Sequence, residues 1–162
     1  GRAEAFRKVK SVLAHPKYSF QSVNTVEKVS QDIAVVLLEE PIRSENIKPF
    51  IVAPLPRRGD GVAVVSYAMG RKDVPSIQSL CEVRAEQDDV LLLTCDVDYG
   101  ASGAPVFVMS DGTAVIVSLI SAMTWLGDEK LSLGVALQET LNEFAHLVRR
   151  YEMPAPSISS SD

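Results

Sequence analysis

Residues 95–107, CDVDYGASGAPVF, set a serine between glycines and follow it with a small residue, a proline and an apolar run. Acyl transfer by a serine needs an exposed hydroxyl beside backbone N–H groups that are free to hold a developing oxyanion. Gly100 and Gly103 permit a tight turn that would expose Ser102 and leave such N–H groups pointing outward. Taken alone, the same string also describes an ordinary Gly-Ser turn leading into a strand. Asp32, ahead of the apolar run IAVVLL, reads in the same two ways: a polar residue opening a strand, or a carboxylate placed for chemistry. The chain holds two histidines, His15 and His146, as candidate bases.

Five ordered segments give these residues a context. GASGAPVF at 100–107 resembles the GDSGGP signature of the trypsin and chymotrypsin superfamily of serine peptidases. It is closer still to the GxSGxPV form of bacterial trypsin-like and glutamyl-endopeptidase-like members. HPKY at 15–18 resembles the family's HPxY segment, and DIAVVLL at 32–38 resembles its DIALL strand. IVS at 116–118 resembles the strand lining the substrate cleft. LGVA at 133–136, followed by an amphipathic run, resembles the last strand and terminal helix.

The resemblance implies an all-β, chymotrypsin-like double β-barrel with a C-terminal helix, and peptide-bond hydrolysis through a Ser-His-Asp triad and an acyl-enzyme. It implies that Ser102 is the nucleophile and that the N–H groups of Gly100 and Ser102 form the oxyanion hole. Asp32 would be the buried carboxylate that orients the general-base histidine. Ser118 would line the cleft and bond Asp32. Asp96, six residues before Ser102, falls where trypsin carries its specificity aspartate and suggests cleavage after Lys or Arg. Tyr99 would line the substrate site. Leu119 and Ile120 replace the Trp-Gly pair that usually walls the pocket and would narrow its mouth. A polypeptide substrate is the implied partner, with no metal and no cofactor.

The departures are equally specific. The family's histidine lies in a TAAHC-like segment upstream of HPxY, and no such segment occurs here. His15 sits at a non-catalytic position of the match, and His146 falls on the polar face of the terminal helix. Without a base the serine hydroxyl is a poor nucleophile, so the chain by itself is expected to be nearly inactive. A missing N-terminal part of the first barrel, itself a possible partner, would explain this. So would a pseudo-protease that keeps the cleft as a binding module. Ala101 stands where trypsin-like zymogens carry the aspartate of their activation switch, so the loop needs another means of support.

The elements that must position these groups are short. Apolar runs rich in Val, Ile and Leu, broken by Gly, Pro, Asp and Asn about every ten residues, predict an all-β sandwich or barrel. The strands are expected at 7–14, 33–39, 61–67, 78–85, 90–97, 105–109, 114–121 and 133–137, with a hairpin turn at 110–113. The proline-rich stretch 48–58 reads as a surface connector. It divides a remainder of the first barrel, 1–56, from a second barrel with its helix, 57–151. Leu137, Leu141, Phe144, Ala145 and Val148 recur at helical spacing and predict a helix over 138–151. Residues 152–162 carry too little apolar content to order themselves and read as a disordered tail.

Cys81 and Cys95 are too few for a disulfide scaffold and fit no zinc spacing. A turn over 86–89 would place Cys81 opposite Cys95 and Val83 opposite Leu93, within reach of a disulfide after a small twist. Two buried free thiols are the alternative. A disulfide would favour a secreted or periplasmic protein. The formal charge of −5, with no basic run beyond paired arginines, argues against nucleic acid or an anionic membrane as a partner. No stretch approaches the about 18 apolar residues of a membrane-spanning helix.

Overall fold

Three tight turns set the frame. Asp88 and Asp89 (φ 49° and 64°), then Asp111 and Gly112 (φ 49° and 78°), reverse the chain in the left-handed region that two-residue hairpins require. Gly127 (φ 62°) opens the third turn. The computed structural model describes residues 3–21, 25–67, 69–70 and 73–152. Its elements run β1 Val9–Ala14, α1 Thr25–Ser30, β2 Ala34–Leu38, β3 Gly61–Ser66, β4 Ser76–Gln87, β5 Val90–Leu93, β6 Pro105–Ser110, β7 Thr113–Leu126, β8 Glu129–Ala136 and α2 Gln138–Glu152. The protein is mostly β. The six strands β3–β8 close an antiparallel barrel in the order β3-β4-β5-β8-β7-β6, while β1 and β2 form a separate two-stranded sheet.

The barrel is filled by the inward residues of its strands, among them Val62, Val83, Leu91, Leu93, Val106 and Val117. The turn at Asp88 and Asp89 starts β4 and β5 in a register that pairs Gln87 with Val90 and Ala85 with Leu92. A bulge at Arg84 then shifts the ladder, so that Val83 pairs with Leu93. Beyond the bulge Cys81 meets Cys95, and the two form a disulfide with Cα atoms 4.9 Å apart. The expected bridge is present, and so is the expected Val83–Leu93 pair.

β7 and β8 reach farther than their apolar runs suggested. The hairpin continues through Met123–Ser132 and Trp125–Lys130 to its turn at Gly127. A short helix, α1, was not anticipated, since six residues are too few to display a helical period. Its Val29 is buried against Val90 and Leu133 of the barrel. The connector runs along β7, with Ala53 N–H bonded to Ile116 O and Ile116 N–H to Ile51 O.

α2 lies where the periodicity put it. Leu141, Phe144, Leu147 and Val148 pack with Val135 and Leu137 and with Leu13, Ile33, Val35 and Leu37 from the β1–β2 sheet. Leu147 takes the place expected of Ala145, which is exposed. The other face of that small sheet is open: Val12 and Val36 lie directly opposite each other and are 59% and 49% exposed. The tail expected over 152–162 falls outside the described residues apart from Glu152.

Candidate functional site

The loop between β5 and β6 presents Ser102. Cys95 anchors its root to β4, and Gly100 (φ 90°) and Gly103 (φ 81°) adopt the left-handed conformations that the sequence suggested. Ala101 is buried, with its N–H bonded to Asp98 O at 3.0 Å, while Ala104 N–H returns to Ala101 O at 2.9 Å. Gly103 N–H bonds to Ile120 O at 2.7 Å and Ile120 N–H to Ala104 O at 2.9 Å, tying the loop to β7. Local hydrogen bonds and the disulfide thus support this loop. Ser102 itself is exposed, and its hydroxyl reaches Ser121 O only at 3.5 Å, too far to be held firmly. Among the described residues, neither Gly100 N–H nor Ser102 N–H has a hydrogen-bond acceptor.

Asp32 reaches the same place from the other side. α1 is pinned by Val29, and Asp32 N–H bonds back to Val29 O at 3.1 Å just before the chain enters β2. Its carboxylate and Ser102 line one cavity of about 470 Å³, together with Ala14, Tyr18, Ala34, Leu119 and Ile120. The two residues singled out for chemistry are therefore neighbours across a cleft, although 70 positions separate them.

Two details differ from expectation. Asp32 is exposed rather than buried, because the open face of the β1–β2 sheet beside it is uncovered. The hydroxyl that bonds Asp32 belongs to Ser121, not Ser118: Ser121 Oγ donates to Asp32 Oδ2 at 2.6 Å. Ser118 is fully buried over Gly134, where its Oγ fills the space that an added Cβ would take. Ser118 faces inward because β7 slips against β6 at Val117, between the Ile116–Phe107 and Ser118–Val106 pairs. A second bulge lies farther along β7, against β8. Ile120 pairs with Gly134 and Ala122 with Leu133, so Ser121 is an extra residue that the ladder turns toward the cleft.

No protein-family model matches this chain, and no curated protein matches it. Function is therefore read from the site.

The remaining candidates fall on both sides of Ser102. Tyr99, Gly100, Ser102 and Ile120 line a second cavity, of about 250 Å³, together with Val97, Asp98, Ala101, Ser121, Ala122 and Met123. Leu119 lines only the cavity shared with Asp32, and Ile120 lines both. Asp96 lines neither of them. It borders a third cavity, of about 320 Å³, where its carboxylate accepts from Lys130 Nζ at 3.0 Å.

Neither histidine lines the cleft. His15 directly follows Ala14 but is buried away from the cleft, with Nε2 3.0 Å from Glu143 Oε2 and its ring set edge-on to Phe144. His146 is exposed on α2. The described residues hold no cluster of three or more His, Cys, Asp or Glu side chains able to bind a metal ion. No described helix is long and apolar enough to cross a membrane. Sequence reasoning missed Tyr18, Ser121, Ala122 and Met123. Only Tyr18 carried a usable signal, through its place in the HPKY segment.

Proposed function

We propose that the chain is the nucleophile-bearing part of a trypsin-like serine endopeptidase. The observation that carries this reading is the single cleft lined by Asp32 and Ser102, with a glycine-flanked turn whose Gly100 and Ser102 N–H groups are unengaged among the described residues. In this mechanism an imidazole between Asp32 and Ser102 takes the serine proton, and Ser102 Oγ attacks the substrate carbonyl. The Gly100 and Ser102 N–H groups receive the oxyanion, the imidazolium gives its proton to the leaving amine as the peptide C–N bond breaks, and water then hydrolyses the acyl-enzyme. Asp32 orients the imidazole, and Ser121 holds Asp32.

On this reading the β1–β2 sheet is the remainder of a first barrel in a double-barrel fold, and its uncovered face belongs inside that barrel. The residues of this chain do not supply the base, so the chain alone has very low activity. The disulfide agrees with export to an oxidising compartment. A second reading rests on the position of the histidines: with none at the cleft, the same surface would serve as a non-catalytic module that holds a peptide.

Imidazole added to the buffer separates the two. A fluorophosphonate probe labels Ser102 at a rate that rises and saturates with imidazole if the cleft is catalytic, and labelling disappears in Ser102→Ala. Absence of labelling at every imidazole concentration would leave the binding module as the better account.

A further inference from the structure

We infer that the cavity beside Ser102 is a side-chain pocket for an uncharged, apolar residue of a bound peptide, with Met123 as its selective wall. The inference rests on the reading of Ser102 as a nucleophile, because that reading fixes where the peptide carbonyl sits.

A carbonyl oxygen held by the Gly100 and Ser102 N–H groups places the residue that bears it against this cavity, since Gly100, Ala101 and Ser102 form part of its lining. The deeper walls are apolar. Val97, Ala101 and Ile120 are buried, and Ala122 and Met123 are half-buried on the β7 segment just past the Ser121 bulge. That bulge turns Met123 inward with the barrel core, while Ala122 packs outward against Val29, Val90 and Leu133, so Met123 takes the position that the sequence alone had given to Leu119.

The charge nearby is exposed to water. Asp98 is the one charged residue among the described lining. Its Oδ1 accepts the Tyr99 N–H at 2.8 Å and its carbonyl accepts the Ala101 N–H, so it serves the turn that shapes the loop. Asp96 faces a different cavity, and Val97 lies between them, lining both. Its carboxylate, 76% exposed, pairs there with Lys130 Nζ. A lysine or arginine side chain entering beside Ser102 would thus lose its hydration without reaching Asp96, in exchange for Asp98 alone, an exposed carboxylate that water screens. A glutamate would meet no cation among the described lining residues. An apolar side chain loses nothing by entering and removes its own surface from water.

The test uses the chain itself and four peptides, acetyl-Ala-Ala-X with a free carboxylate, where X is Leu, Phe, Lys or Glu. Binding is followed by the carbon-13 methyl signal of Met123, assigned through Met123→Leu. The Leu and Phe peptides should bind about tenfold tighter than the Lys and Glu peptides, the scale on which apolar pockets discriminate. Lys130→Ala should leave the order unchanged, because Asp96 does not face the pocket.

A Lys or Glu peptide binding most tightly would overturn the apolar pocket and leave the peptidase reading standing. So would a gain for the Lys peptide in Lys130→Ala. Failure of all four peptides to bind or to shift the Met123 methyl would overturn the pocket and the peptidase reading together.

Discussion

The Ser121 hydroxyl donates to the Asp32 carboxylate across a cleft, at 2.6 Å, and so fastens β7 of the barrel to the start of β2. Both partners are polar and solvent-reachable, so water competes for each. The bond acts chiefly on orientation, keeping one carboxylate oxygen engaged while the other is free to receive an imidazole N–H. Removing the hydroxyl releases the carboxylate to rotate. Hydrogen bonds to charged groups contribute about 1.5 kcal/mol at the low end, equivalent to about tenfold in rate. Ser121→Ala should therefore slow imidazole-assisted fluorophosphonate labelling of Ser102 by about that factor. Ser118→Ala, distant from the carboxylate, should leave the labelling rate unchanged, and equal slowing by both variants would remove Ser121 from its positioning role.

Gly134 and Ser118 form a second, buried relationship. Only a hydrogen fits on Gly134, because Ser118 Oγ occupies the space that a Cβ would take and Leu119 O lies 3.3 Å away. Gly134→Ala should destabilise the protein by about 1–3 kcal/mol, the usual cost of overpacking a filled interior. In a Ser118→Ala background the offending oxygen is gone, and the same change should cost clearly less. Urea denaturation of both single variants and the double variant measures the coupling. Additive costs would mean that the backbone of β7 and not the serine sets the constraint.

The β1–β2 sheet should prove the looser part of the fold. Its packed face rests on α2 and the barrel through Leu13, Ile33, Val35 and Leu37, but its opposite face carries exposed Val12 and Val36, and among the described residues no third strand joins it. The barrel strands are hydrogen-bonded on both sides around a closed ring. Amide hydrogen exchange should therefore show β1 and β2 opening more readily than β3–β8. By the same reasoning, residues 1–56 expressed alone should pack poorly and tend to aggregate through their strand edges, while residues 59–150 should remain folded. Equal protection in both halves would contradict this division.

Much of this protein was fixed by local chemistry that a sequence displays. The Asp-Asp and Asp-Gly turns, the alternation of the strands, the period of α2 and the glycines flanking Ser102 each act over a few residues. The Cys81–Cys95 bridge was legible for a related reason: a hairpin centred near Asp88 brings the two together whatever the rest of the chain does. What tertiary structure alone decided lies where the ladder departs from regular alternation. In β7 a slip against β6 at Val117 left Ser118 buried over Gly134, and an extra residue against β8 placed Ser121 beside Asp32 and turned Met123 inward toward the cavity beside Ser102. A bulge arises from the fit of a strand against its partners on both sides, so a period of two read along β7 could not contain it. The pairing of Asp96 with Lys130 was hidden because it joins a loop to the far end of the β7–β8 hairpin, a contact that only the closed barrel creates.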